Sequence, residues 1–153
     1  TQIRNMKFKQ IVTVLVFSLV VSGSFAQAQT EANGKRTEQT TQHKIVYDLS
    51  VADTTMHAGL IRQLNNIKRG WPAAEIEVVV HGKALNLLVN GKSTQASAIK
   101  ELQAKGVVFA ACENTMKRSK VEKDQLLPYV PTVPMGIGEI VIKQEKGWSY
   151  IKF

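Results

Sequence analysis

The feature that most constrains this chain is an alternation of short apolar runs with segments of helical periodicity. The runs KIVYDL (44–49), EIEVVV (75–80) and VVFAA (107–111) are rich in β-branched residues and are typical of strands. Between the first two runs, apolar residues recur every three or four positions, at Met56, Leu60, Leu64 and Ile67. Strands that alternate with helices form right-handed βαβ units. The pattern therefore predicts one three-layer α/β domain with about five mostly parallel strands.

The same alternation continues to the end of the chain. We expect helices at 83–89, at 94–105 with Ser93 or Thr94 as the cap, at 113–118 and around 137–144. We expect strands at 129–133 and 148–153. The carboxyl ends of parallel strands form one edge of a sheet, where ligands of such folds bind.

The first 28 residues predict an export signal. Lys7 and Lys9 precede an apolar run at 11–21, and small residues then lead to cleavage after Ala26 or Ala28. The run is much shorter than the ~20 residues of a spanning helix, so we expect no stable membrane anchor. Residues 1–28 are thus interpreted as upstream residues plus a secretory signal peptide, and the mature protein as periplasmic or secreted.

A polar segment separates this leader from the domain. Residues 29–42, QTEANGKRTEQTTQ, contain no apolar side chain larger than alanine and predict a flexible tether before a folded domain at 43–153. The formal net charge is +8, but the basic residues are scattered. Without a stripe of basic and aromatic residues, we expect no nucleic-acid partner.

The only cysteine, Cys112, follows the run VVFAA directly and precedes a helical segment. The N–H groups of a first helical turn favour the thiolate, so we expect a pKa below the ~8.5 of a free thiol. A reactive nucleophile is one interpretation. A small apolar residue packed behind the helix is the other, because free cysteine is among the most buried residue types.

His81 follows EIEVVV and is expected at the same sheet edge as Cys112, where its imidazole could assist the thiolate. The alternative is that His81-Gly82 simply opens a turn. His57 is expected to cap a helix end. Asp48 and Asp53 could form a catalytic carboxylate pair, although Asp53 also suits an N-cap.

The sequence predicts neither a metal nor another cofactor. No cysteine or histidine pair has the short spacing of a zinc site. Gly136-Ile137-Gly138 resembles part of a dinucleotide fingerprint, but Val141 stands at the third glycine position. The two glycines more simply allow a close approach at the start of the last helix.

Several blocks resemble the DsrE/DsrF-like family, in particular an uncharacterised exported DsrE-like branch. They are HKIVYDLS (43–50), HAGLIRQLNNIK (57–68), EIEVVVHGKALNLLV (75–89), ACENTMKRSK (111–120) and the segment from DQLLPYV to the end (124–153). The resemblance implies a flavodoxin-like sandwich that assembles into trimers or hexamers. It also implies that a cysteine in the position of Cys112, before a short helix ending in a basic pair such as Lys117-Arg118, carries a persulfide.

These observations leave three hypotheses open. The first is an exported sulfur carrier or sulfurtransferase that acts through Cys112, assisted by His81, with a partner protein or a small sulfane-sulfur compound as donor or acceptor. The second is a non-catalytic, oligomeric ligand-binding or assembly module in which Cys112 is a buried structural residue. The third is a redox-sensing thiol that forms a mixed disulfide between chains.

Overall fold

The computed structural model describes residues 42–153. The expected leader at 1–28 and the tether at 29–42 lie outside this part, apart from Gln42. The strands are β1 (Lys44–Leu49), β2 (Glu75–Val80), β3 (Val107–Cys112), β4 (Thr132–Val133) and β5 (Ser149–Lys152). The α-helices are α1 (Thr54–Gly70), α2 (Ala96–Ala104), α3 (Glu113–Ser119) and α4 (Gly136–Glu145), and 3-10 helices span Gly82–Leu88 and Lys123–Gln125.

The five strands form one parallel sheet in the order β4-β3-β2-β1-β5. The chain moves in one direction from β1 to β4 and then returns past β1 to place β5 at the opposite edge. Right-handed crossovers that travel in opposite directions cover opposite faces of a sheet. This accounts for the position of α4 on the face of the sheet opposite the main core. There α4 packs against β1 and β2 over a small second core of Val46, Val79 and Ile140. The prediction of a parallel α/β sandwich is confirmed.

The main core lies on the other face of the sheet, where the side chains alternate inward from the three central strands. Tyr47, Val78 and Phe109 are completely buried there and pack with Leu60 and Leu64 of α1. The opposite pleat of the same strands carries Asp48 and Glu77, which are also buried. The run EIEVVV is therefore apolar on one face and partly charged on the other.

An ion pair helps to hold α4 on the sheet. Lys143 Nζ lies 2.6 Å from Glu77 Oε2, and both side chains are largely buried. The same ammonium group stands 4.2 Å from the centre of the Trp148 ring, within the range of a cation–π interaction. Glu77 thus has a charged partner, as a buried carboxylate requires.

Most element boundaries agree with the sequence pattern, and the differences have physical reasons. β4 contains two residues instead of the expected 129–133, because Pro131 and Pro134 confine the ladder. The expectation of a Ser93 or Thr94 cap on α2 is wrong, since Gln95 occupies the N-cap without a side-chain bond. Met56 is exposed rather than part of the apolar face of α1.

Within residues 42–153, no helix combines the length and the apolar character needed to cross a membrane.

Candidate functional site

The carboxyl edge of the sheet brings together three residues that lie far apart in sequence. Asp48 is near the end of β1, His81 follows β2 and Cys112 ends β3. His81 and Cys112 share an open cleft of about 500 Å³ between α3 and the start of α4. The cleft is lined by His81, Cys112, Asn114, Thr115, Lys117, Arg118, Met135, Gly136 and Ile137.

Cys112 is both the last residue of β3 and the N-cap of α3, with extended backbone angles. Its side chain points to the face of the sheet that α4 covers, and the residue is only 5% exposed. The backbone N–H of Gly136, the first residue of α4, donates a hydrogen bond to Sγ over 3.2 Å. The sulfur therefore lies between the starts of two helices at the floor of the cleft.

Thr115 adds a hydroxyl group to this environment. The residue is 2% exposed, and its Oγ1 accepts a hydrogen bond of 3.1 Å from the backbone N–H of Gly82. The nearby hydroxyl is also one of the groups that lower the pKa of the Cys112 thiol. The bond to Gly82 joins the first turn of α3 to the turn after β2.

The balance of these effects favours the thiolate. Burial raises the pKa of the Cys112 thiol, but the hydroxyl of Thr115 and the N–H groups of Gly136, Thr115 and Asn114 together lower it below its ordinary value. Only the Gly136 amide has the geometry of a full backbone hydrogen bond to Sγ. The predicted direction of the Cys112 pKa shift is correct. The first turn of α3 contributes to the shift, but so do the Thr115 hydroxyl and the Gly136 amide, which the sequence pattern did not indicate.

Close packing favours glycine at position 136. A β-carbon there would lie 3.2 Å from Cβ of His81, 3.3 Å from Cβ of Cys112 and 3.3 Å from Cγ1 of Val79. These distances are shorter than ordinary carbon–carbon contacts. The absence of a side chain lets the first turn of α4 approach the sulfur, which is the role expected for the glycine pair.

His81 engages a carboxylate and does not cap the turn that it opens. Its Nε2 lies 2.7 Å from Oδ1 of Asp48, and its side chain makes no capping bond to the 3-10 helix that follows. Its backbone N–H donates to the carbonyl of Leu49 on the neighbouring strand. His81 lines the same cleft as Cys112, and in this structure its imidazole is hydrogen-bonded to Asp48 rather than to the sulfur.

Asp48 is buried and contacts three donors, one that follows β2 and two on β5. Oδ1 accepts from His81 and lies 3.0 Å from Nζ of Lys152, while Oδ2 accepts from the Tyr150 hydroxyl over 3.0 Å. Burial raises the pKa of this carboxyl, but the bonds from His81, Lys152 and Tyr150 outweigh it and lower the pKa. Asp48 is therefore held as a carboxylate.

The expected pairing of Asp48 with Asp53 does not occur. Asp53 is exposed and caps α1, where its Oδ1 accepts from the N–H groups of Thr55 and Met56. His57 is not a helix-end cap: it is buried, and its Nε2 lies 2.8 Å from the carbonyl oxygen of Val51 in the loop before α1. Both residues secure local structure away from the cleft.

The charges at the mouth of the cleft are positive. Lys117 and Arg118 line it, and none of the described residues that line it is Asp or Glu. The adjacent Glu113 is occupied elsewhere, because its Oε1 accepts from the Thr132 hydroxyl over 2.7 Å and pairs with Lys123. In residues 42–153, no three His, Cys, Asp or Glu side chains are grouped so that they could hold a metal ion.

The model of one protein family, described as the DsrE/DsrF-like family, matches residues 32–153. A protein of unknown function from Methanobacterium thermoautotrophicum, MTH1491, is 32% identical with a TM-score of 0.70, covering 72% of this chain and 99% of that one. No curated protein matches the chain.

Two further solved structures share the fold. The ychN protein from E. coli is 13% identical with a TM-score of 0.64, and the match covers 72% of this chain and 99% of that one. BT1422, a conserved protein of unknown function from Bacteroides thetaiotaomicron, is 18% identical with a TM-score of 0.61, covering 75% and 98%.

Removing the Thr115 hydroxyl should weaken the thiolate. In Thr115→Val, Sγ loses a donor, so the pKa of Cys112 should rise and alkylation at neutral pH should slow severalfold, whereas Thr115→Ser should behave like the wild type. Thiolate absorbance and alkylation rate, both followed against pH, measure the change. A Thr115→Val profile that coincides with the wild type would contradict this role.

Proposed function

This chain belongs to the DsrE/DsrF-like family, and we propose that it is a sulfur carrier or sulfurtransferase whose Cys112 takes up sulfane sulfur as a persulfide and passes it on. The family as a whole is linked to sulfur relay. The observation that carries the proposal is the donor set around Sγ of Cys112, where the Gly136 amide and the Thr115 hydroxyl favour the thiolate at the floor of a cleft. Thiolate is the form that attacks sulfur.

The proposed transfer needs no external oxidant or reductant. The Cys112 thiolate attacks the outer sulfur of a persulfide donor RSSH, the donor's S–S bond breaks, and RS⁻ leaves with the electron pair. Cys112–S–SH then holds the sulfur until a second nucleophile attacks it. Because Cys112 is the only cysteine, the discharging nucleophile must come from another molecule.

The charge of the cleft supports an anionic donor. Lys117 and Arg118 stand beside the cysteine, and His81 adds a third basic group. Persulfides and polysulfides are anions or readily become so, and basic side chains both attract them and stabilise the leaving thiolate. A small sulfane-sulfur compound or a persulfide on a partner protein would satisfy this chemistry.

Sulfur loading tests the proposal directly. The intact mass of residues 29–153 should increase by one sulfur atom after exposure to a polysulfide, and reductant should remove it. Cys112→Ser lacks the acceptor and should gain nothing, while Ser119→Ala, at the end of α3, provides a control outside the cleft. A free thiol that stays unmodified in the wild type, or sulfur uptake by Cys112→Ser, would contradict the mechanism.

We also propose that this chemistry takes place outside the cytoplasm, in the periplasm or after secretion. The support is the leader-like sequence at 1–28, with basic residues, an apolar run and small residues before Gln27 or Gln29. The protein recovered from the exported fraction should begin at one of these two glutamines. A chain that stays in the cytoplasm with residues 6–28 intact would contradict export.

A second candidate function is assembly or ligand binding by a homo-oligomer, a trimer or a hexamer, with Cys112 as a packing residue. Two observations favour it: Cys112 is largely buried, and the face of the sheet covered by α4 alone carries exposed apolar side chains. They include Val108 on β3 and Ile137, Val141 and Ile142 on α4. Such side chains on a soluble domain are typical of an interface.

The oligomer makes a separate prediction. The wild type should be larger than a monomer by light scattering at micromolar concentration, and Val141→Glu should dissociate it because a charge would be buried in the interface. Met56→Glu, on α1 and therefore on the opposite layer, is the matched control, since Met56 is exposed to a similar degree. A monomeric wild type would exclude this interface.

A further inference from the structure

The hydrogen-bonding of Asp48 is more extensive than a structural ion pair needs. The residue is 5% exposed, and its carboxylate contacts three side chains, namely His81 after β2 and Tyr150 and Lys152 on β5. Replacing a whole buried ion pair by apolar residues often costs nothing, so the pairing of Asp48 with basic groups is by itself weak evidence of a stabilising role. What distinguishes Asp48 is that one of its partners lines the Cys112 cleft.

The contact determines how the His81 ring can act. An ionised carboxylate only accepts hydrogen bonds, so Nε2 of His81 carries the proton in the 2.7 Å bond to Asp48. The second ring nitrogen, Nδ1, has no hydrogen-bond partner among residues 42–153 and is left for a reactant. A carboxylate that fixes the tautomer of a histidine also fixes the orientation of its ring.

The same histidine is a close neighbour of the cysteine. The point that a β-carbon on Gly136 would occupy is 3.2 Å from Cβ of His81 and 3.3 Å from Cβ of Cys112. The two side chains therefore start close to the same point of the Gly136 backbone and line one cleft. A donor molecule bound at Sγ would occupy the cleft that the imidazole also lines.

We propose that Asp48 is a positioning residue, which holds His81 so that its imidazole gives a proton to the thiolate that leaves when sulfur passes to Cys112. This inference rests on the proposed function and adds the acid step to it. Tyr150 and Lys152 of β5 in turn hold Asp48. Side chains of β5 therefore support the chemistry at Cys112, the last residue of β3.

The proton and electrons balance in this step. Sγ of Cys112 forms a bond to the outer sulfur of RSSH while the bond between that sulfur and RS breaks. RS⁻ departs with the electron pair and takes a proton from the His81 imidazolium, which leaves RSH, Cys112–S–SH and a neutral imidazole. His81 then recovers a proton from water before the next turnover, and the discharge of the persulfide runs through the same groups.

The identity of the leaving thiol is the sharpest test, because a basic thiolate needs the proton and a weakly basic one does not. Sulfur loading of Cys112 would be timed by quenched intact-mass measurement with two persulfides of equal charge, one of an alkylthiol and one of a nitro-substituted arylthiol. The proteins are the wild type, Asp48→Asn, His81→Gln and Tyr150→Phe. Asp124→Asn, an exposed carboxylate on the 3-10 helix Lys123–Gln125, is the control.

With the alkyl donor, Asp48→Asn and His81→Gln should load about a hundredfold more slowly than the wild type. An asparagine can present its N–H to Nε2 and so hold the wrong tautomer. Tyr150→Phe keeps the Asp48 carboxylate, so its loading rate should fall less than that of Asp48→Asn. With the aryl donor all four variants should load within about threefold of the wild type, because that leaving group needs no acid.

The ratio of the alkyl-donor rate to the aryl-donor rate within each protein adds a readout that misfolding would not produce, because a misfolded protein would load slowly from both donors. This ratio should be about a hundredfold lower in Asp48→Asn and His81→Gln than in the wild type.

The outcomes distinguish a failure of the proposed role of Asp48 from a failure of the proposed function. Equal slowing of both donors, or no slowing in Asp48→Asn and His81→Gln, would overturn the role of Asp48 while leaving the loading of Cys112 intact. A wild type that takes sulfur from neither donor would overturn the proposed function itself. If Asp48→Asn does not fold, the rates of His81→Gln and Tyr150→Phe still test the proposed acid step, because both variants leave the buried Asp48 carboxylate in place.

Discussion

Parallel pairing is the constraint on which the rest of this structure depends. Every strand must be followed by a crossover, so all carboxyl ends meet at one edge, and residues 48, 81 and 112 become neighbours there. The same rule sends the last crossover to the second face, because the chain reverses its direction across the sheet before β5. That reversal is what brings the first amide of α4 to the sulfur of Cys112.

Two opposing effects meet at this sulfur. A buried thiol would ordinarily stay protonated and inert, and burial alone would raise the pKa of Cys112. The hydroxyl of Thr115 and the backbone amides reverse that outcome without placing a full charge beside the sulfur. A buried sulfur can therefore still be reactive here, so the burial of Cys112 does not exclude the sulfur-carrier proposal.

The sequence predicted what depends on short-range pattern and missed what depends on long-range contact. β1 and β2 follow from β-branched runs, and the position of Cys112 follows from the order of strand and helix. The role of Gly136 in bonding the sulfur and the partnership of Asp48 with His81 join residues 24 and 33 positions apart, for which no local periodicity exists. The effect of Thr115 on the pKa of Cys112 is local, because the third residue of a helix lies close to its N-cap.

The sulfur loading proposed for Cys112 would lengthen its side chain as well as change its chemistry. The Sγ atom is recessed, with Cys112 5% exposed, and a persulfide extends it by one S–S bond of about 2.05 Å. Under the proposed function, the outer sulfur would extend into the cleft that Cys112 lines. An acceptor surface that contacts this outer sulfur would then distinguish the loaded protein from the empty one by contact alone.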